Sequence, residues 1–175
     1  KYDLIVFSDF NYGCLTDELI NKVTNQAKKL KIFMAADSQS SSQIGDITKY
    51  KNMNLLTPTE REARVGTRNQ NDGLIILAED LRKKTLAENI ILKLAGEGLI
   101  IHKVKNKKWE NDKIHALNSF PSDVAGAGDC LLIASSMSLA SGANIWEASY
   151  LGSIASAAQV GKIGNIPIKR EEILI

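Results

Sequence analysis

Apolar residues in this chain fall into short runs and helical spacings that alternate from one end to the other. Leu4-Ile5-Val6-Phe7 stand together and stop at Ser8-Asp9, the pattern of a buried strand. Thr16 can cap the helix that follows. In it Leu19, Ile20, Val23, Ala27 and Leu30 recur at helical spacing, and Asp17 and Glu18 face the positive end of the dipole. Residues 32–36 give a second buried strand, ending at Asp37 in a polar stretch, Ser38-Gln39-Ser40-Ser41-Ser42-Gln43, that fits neither a core helix nor a core strand. Asn54-Leu55-Leu56 is a third short strand, stopped by Pro58.

Further along, residues 60–65 form a brief helix ended by Gly66. Residues 72–86 form a longer one, with Leu74, Ile75, Ala78 and Leu81 inward and Lys83-Lys84 near its negative end. Residues 89–94 are the next strand, followed by a Gly96-Glu97-Gly98 turn. From 99 to 116 two apolar stretches flank a polar tip at 105–113, the pattern of a hairpin, and Trp109 in that tip has no evident role. A helix is expected over 128–141. Asn144 and Glu147 have capping-box spacing for a last helix, whose Gly152, Ala155 and Ala158 form a small-residue face suited to close contact. Strands alternating with helices predict a mainly parallel sheet with helices on both faces, and ligands at the carboxyl ends of the strands.

Composition narrows the classes. A length of 175 residues fits one domain, 1–175, with no repeat or linker. Hydrophobic residues make up 44% and charged residues 24%, and no apolar run approaches the roughly 20 residues that span a bilayer, so a membrane partner is excluded. The net charge of +2 comes from 22 basic and 20 acidic residues spread along the chain, which gives no basic stripe for a nucleic acid. Cys14 and Cys130 have no metal-ligand spacing, read as small core residues, and suit a cytoplasmic setting. The chain begins Lys1-Tyr2-Asp3 and enters a strand at once, so an N-terminal half is expected to be missing.

The strongest chemical signal is Asp123-Val124-Ala125-Gly126-Ala127-Gly128-Asp129, a glycine turn running directly into a helix. The N–H groups of Gly126, Ala127 and Gly128 are expected to be unpaired at the helix N-terminus, a ready anion site. A carboxylate on the first turn beside bound phosphate is repulsive unless it acts on a hydroxyl. Asp129 therefore reads as a base for phosphoryl transfer. The plain alternative is a glycine-rich turn whose acidic residue matches the dipole. His102 and His115 read as strand or surface histidines, and the lysines between 103 and 113 as a solvated tip.

That string resembles the C-terminal signature of the ribokinase-like (PfkB-type) carbohydrate kinases, Asp-Thr/Val-x-Gly-Ala-Gly-Asp. Ser8-Asp9-Phe10-Asn11-Tyr12-Gly13 is similar to the family's Ser-Asp-Tyr-x-Lys-Gly segment, and Leu55-Leu56-Thr57-Pro58 introduces its Asn-x-x-Glu region. Ala157-Ala158-Gln159-Val160-Gly161-Lys162-Ile163-Gly164 resembles the run near the adenine pocket of the heptose-7-phosphate kinases, the nearest pattern within the family. The resemblance covers nearly the whole chain and the C-terminal half of a usual member. It implies a ribokinase-like three-layer α/β/α fold, incomplete on the N-terminal side, and an ATP-dependent phosphotransferase acting on a sugar or sugar phosphate with Mg2+.

Residue by residue, the resemblance implies Asp129 as catalytic base and Gly126, Ala127 and Gly128 as the anion hole. Glu62, with Thr59 where asparagine is usual, would handle metal or phosphate through water. Lys93, Gly96, Gly98 and Ser153 would lie on the nucleotide side. Lys93 stands where threonine is usual, and either meets a phosphate or is solvated. Asp9, Asn11 and Asp37 would lie on the substrate side. Tyr12 replaces a lysine, Ser38-Gln39 follow Asp37 where the heptose kinases have Pro-Lys, and Ser153 replaces an adenine-side asparagine. These departures motivate a second reading, a non-catalytic nucleotide- or phosphate-binding regulatory module. A dinucleotide-binding oxidoreductase is disfavoured because no Gly-x-Gly-x-x-Gly follows the first strand. The partners expected are ATP, the sugar, and either a second copy or the missing half.

Overall fold

In the computed structural model, which describes residues 2–40, 43–164 and 166–173, a six-stranded sheet separates two layers of helices. Ser41 and Ser42 of the expected polar stretch, and Lys1, lie outside the described residues. The strands are β1 (Leu4–Asp9), β2 (Phe33–Ser38), β3 (Leu55–Leu56), β4 (Asn89–Lys93), β5 (Leu99–Lys105) and β6 (Lys108–Ile114), lying side by side in chain order. Pairing is parallel from β1 to β4 and antiparallel from β4 to β6. The helices are α1 (Asp17–Leu30), α2 (Glu60–Thr67), α3 (Leu74–Thr85), α4 (Ala127–Ala140) and α5 (Ile145–Val160). This is the ribokinase-like three-layer arrangement with a mainly parallel sheet.

Side-chain alternation along the strands decides what faces what. Phe7, Met34, Ala36, Leu56, Ile90 and Leu92 join α1, α2 and α3 in one core, through Ile20, Ala63 and Leu77 among others. Ala35, Leu55, Ile91, Leu99 and Ile101 join Leu131, Leu132 and Ile145 of α4 and α5 in the other, with Val6 packed against it. Carried to the carboxyl ends of the strands, the same alternation sends Ser8, Asp37 and Lys93 to the α4 side and Asp9 and Ser38 to the opposite face.

Several element boundaries differ from the sequence-based expectation for identifiable reasons. β1 and β2 run two residues beyond their apolar stretches because Ser8 and Asp9 pair in register with Asp37 and Ser38. Gly66 does not end α2, which continues to Thr67 and closes on left-handed Arg68. A Cβ on Gly66 would stand 2.8 Å from Thr48 Cγ2, so this glycine serves the close approach of the 3-10 turn at Ile47–Lys49. The polar segment read as a hairpin tip is mostly strand. The turn is confined to Asn106-Lys107, both at positive φ, and β6 is polar because it is an exposed sheet edge that lysines keep from pairing further. Trp109 acquires a role, edge-on to the ring of His102 at 5.8 Å.

His102 is a fully buried strand residue. Its ring nitrogens contact Glu79 Oε2 at 2.9 Å and Asn111 Oδ1 at 2.5 Å. Neither cysteine is core: Cys14 is exposed, and Cys130 is half-buried at the helix start with Sγ 3.8 Å from Gln159 Oε1. The capping box on α5 forms as expected, and Gly152 faces Leu131 and Ser135 of α4.

Candidate functional site

The segment before α4 is braced from both ends. Asp123 accepts from the amides of Ala125 at 3.0 Å and Gly164 at 2.9 Å, and these bonds hold its carboxyl below the usual carboxylate range. Gln159, buried on α5, donates to the carbonyls of Ala125 and Gly164 at 3.2 Å each. The chain then turns through Gly126 at φ +78°, a left-handed conformation that suits glycine, and enters α4. One expectation is corrected: the Ala127 amide is not free but donates to Val124 O at 3.3 Å, closing the turn. The amides of Gly126, Gly128 and Asp129 have no acceptor among the described residues, so these three are the amides open to an anion.

Asp129 is half-buried on the first turn of α4. Its Oδ1 accepts from Ser8 Oγ at 3.4 Å and from Gln39 Nε2 at 3.3 Å. Beneath it Lys93 Nζ lies 2.6 Å from Asp37 Oδ2, with the carboxylate only 1% exposed. Burial pushes the Asp37 carboxyl up to about 6, Lys93 opposing and the nearby Glu62 charge adding to the rise. A Cβ on Gly128 would stand 3.3 Å from Lys93 Nζ, so glycine there lets the ammonium come up against the α4 backbone.

Thr59 and Glu62 form the capping box of α2. Glu62 Oε2 accepts from Thr59 N at 2.7 Å, Oε1 from Ser40 N at 3.1 Å, and Thr59 Oγ1 from Glu62 N at 3.2 Å. Thr59 also forms a parallel bridge with Lys93, which ties this cap to the end of β4. Each Glu62 oxygen keeps a lone pair, and no cluster of three or more His, Cys, Asp or Glu residues suited to a metal occurs among the described residues. One carboxylate near an anion site fits Mg2+, which keeps several of its waters and binds through one or two carboxylates together with substrate phosphates.

A cavity of about 370 Å³ opens beside the anion site. Its lining includes Thr59, Lys93, Gly96, Gly98, Gly128 and Ser153, with apolar walls from Leu99, Leu117, Leu131 and Val160. Gly98 at φ +95° closes the turn between β4 and β5, where a Cβ would meet Ile114 O. Ser153 donates to Ser149 O at 2.9 Å on α5. The exposed His115, together with Asn118, which donates to Ala157 O at 3.2 Å, lines the same space.

Lys93, Thr59, Gly96, Gly98, Gly128 and Ser153 thus line one cleft, with Gly126 and Asp129 flanking Gly128, Asp37 paired to Lys93 and Glu62 in the Thr59 capping box. Asp9 and Asn11 are not part of that cluster. Asp9 lies across the sheet, 4% exposed, accepting from Tyr50 Oη at 2.7 Å, Lys49 Nζ at 2.5 Å and the Asn11 amide at 2.8 Å. Asn11 in turn bonds Gln39 O and Ser38 Oγ, so this pair steadies the segment that carries Gln39. Ser8, Gln39 and the 115–118 segment were missed as site residues. Strand alternation would have found Ser8, which stands in register with Asp37 on the α4 face.

In an α/β layer protein, bare helix amides beside a cleft at the carboxyl ends of the parallel strands are an arrangement suited to an anionic ligand. The pfkB family carbohydrate kinase model matches residues 1–171, and the chain belongs to that family. It is 31% identical to the bifunctional protein HldE of Helicobacter hepaticus over 99% of this chain and 35% of that protein. In three dimensions it is similar to phosphofructokinase-2 of Escherichia coli, with a TM-score of 0.81 at 16% identity, covering 99% of this chain and 56% of that one. An Arabidopsis thaliana ribokinase complexed with ribose and ATP gives a TM-score of 0.79 at 17% identity, covering 98% and 55%. The chain therefore spans about a third of the length of the curated relatives it matches and just over half of the solved structures.

Proposed function

We propose that this chain carries the nucleotide-binding and catalytic part of an ATP-dependent kinase that phosphorylates a hydroxyl of a sugar or sugar phosphate. The observation that supports the reading is the Asp129 carboxylate on the first turn of α4 beside the unpaired amides of Gly126, Gly128 and Asp129, next to the cleft that Gly128 lines. ATP would lie along the cavity, its base between the apolar walls and its phosphates toward α4. The Asp129 oxygen not engaged by Ser8 and Gln39 takes the proton of the sugar hydroxyl. The sugar oxygen bonds to the γ-phosphorus as the bond to the β-phosphate oxygen breaks, and ADP leaves while the amides hold the charge on the transferred group. Mg2+ entering with ATP would be held through water by Glu62 and would neutralise phosphate charge. ATP bound to the similar Arabidopsis ribokinase supports the nucleotide, and the match to the pfkB family carbohydrate kinase model supports the reaction class.

The sugar side is more open: Ser8 is exposed and the Phe10 ring is half exposed. The chain alone is therefore expected to bind nucleotide and to turn over slowly. The test is coupled ATP consumption over a panel of sugars and sugar phosphates, comparing the natural full-length protein with its Asp129→Asn variant. Loss of at least about 100-fold in kcat is expected from removing a general base. Unchanged turnover in the variant removes Asp129 from that role. A second reading, a binding module without turnover, is favoured by the two donors already on Asp129 Oδ1. It predicts ATP binding with no turnover on any sugar in the panel.

A further inference from the structure

We propose that the Lys93 ammonium binds the polyphosphate of the nucleoside triphosphate, with Asp37 as the residue that positions it beneath the α4 amides. This rests on the kinase reading above and deepens it.

Lys93 closes β4 on the α4 face, and its side chain is only 15% exposed. An ammonium has three donors, and among the described residues Lys93 Nζ meets one acceptor, Asp37 Oδ2 at 2.6 Å. Its remaining donors sit in a cleft where desolvation makes an unmet charge costly. The ammonium also lies against the backbone of Gly128, whose amide is itself without an acceptor. A cation and the positive end of a 14-residue helix repel one another unless an anion lies between them. Asp37 supplies part of that charge from below, and the side toward the cavity is left for a ligand.

Charge balance points the same way. Asp37, Glu62 and Asp129 place three carboxylates around this spot, and a triphosphate brings several more negative charges. Lys93 carries the single ammonium or guanidinium lining the cavity among the described residues. Without it, three amides and the Mg2+ that enters with ATP would have to hold a polyphosphate against three carboxylates.

Calorimetric titration with ATP, inorganic tripolyphosphate and adenosine separates this role from a structural one. The variants are Asp37→Asn and the double Asp37→Asn/Lys93→Met. Both lack the buried carboxylate, so neither leaves it unpaired, and they differ only in the ammonium. The double variant is expected to bind ATP and tripolyphosphate about 10- to 100-fold more weakly than Asp37→Asn, with adenosine affinity unchanged. Adding Lys93→Arg in place of methionine should restore part of the loss. Equal affinity of the two variants for ATP and tripolyphosphate overturns the inference, as does a parallel loss for adenosine, which would mark a collapsed cavity. If the unmutated chain binds neither ATP nor adenosine, the kinase reading beneath it fails instead.

Discussion

Replacing Lys93 with methionine keeps the length of its stem and leaves Asp37, 1% exposed, facing Glu62 without its cation. In the natural chain Asp37 titrates near 6, against 3.8 when unfolded. Its folded-state value is raised, so between about pH 4 and 6 the folded chain binds the proton more tightly, and stability falls as pH rises through that window. At about 1.4 kcal/mol per pH unit, keeping Asp37 ionised at pH 7 costs about 3 kcal/mol. In Lys93→Met the cation that opposes burial is gone, so the Asp37 carboxyl rises further and holds its proton to higher pH. The cost at pH 7 then grows by roughly 1–2 kcal/mol. At pH 5 both proteins hold Asp37 mostly protonated, so this part of the difference vanishes, and it widens as pH rises from 6 to 8. Urea unfolding of the two proteins at pH 5, 6, 7 and 8 measures it directly, with Asp37→Asn as the background in which the pH-dependent part must disappear. Stability curves for Lys93→Met and the natural chain that run parallel from pH 5 to 8 would refute the coupling of Lys93 to Asp37.

Two further predictions concern the frame around the site. In Gly152→Ala the new methyl would stand 2.1 Å from Ser135 Oγ and 3.1 Å from Leu131 O; because that hydroxyl is tied to Ala148 O, α4 and α5 must separate, and a loss of about 1–3 kcal/mol is expected in chemical denaturation, with nucleotide affinity falling alongside. Glu79 shows the opposite pH signature to Asp37: the hydrogen bond from Arg82 outweighs burial and, with His102, holds its carboxyl down at about 2 against 4.5 unfolded. Its contribution, about 3 kcal/mol, is present above pH 4.5 and lost as pH falls toward 2, so Glu79→Gln should be markedly destabilised at pH 7 and nearly equal to the natural chain at pH 2.

The elements that read most clearly were those whose local signal and tertiary role coincide. Thr16 and Asn144 cap their helices, and the buried runs of β1, β2 and β4 are strands, because capping and burial are properties of a few adjacent residues. Asp123 to Asp129 was legible for the same reason, being a turn and a helix start in one string. The misreadings share another origin. Local propensity makes Gly66 a helix end, whereas the close approach of Thr48, 18 residues away, is what requires it. The polar β6 reads as a hairpin tip because its partner β5 supplies the pairing that its own composition does not. Ala127 was counted among the free amides because a short turn bond to Val124 leaves no mark in composition.

Asp9 shows why strand register governs the site more than residue type. Ser8 and Asp9 are adjacent, both polar and both at the end of β1, and a carboxylate is the more obvious ligand. Pairing of Ser8 with Asp37 fixes the alternation, and the serine reaches Asp129 while Asp9 crosses to the face held by Lys49 and Tyr50. The consequence is electrostatic. If Asp9 faced α4, a fourth carboxylate would join Asp37, Glu62 and Asp129 around a single lysine, and a phosphate could not be held there. With the observed register, the neutral hydroxyl of Ser8 and the neutral amide of Gln39 steady Asp129 without adding charge. The Asp9 charge is compensated across the sheet by Lys49 at 2.5 Å, which leaves Lys93 and the α4 amides to set the potential of the cleft.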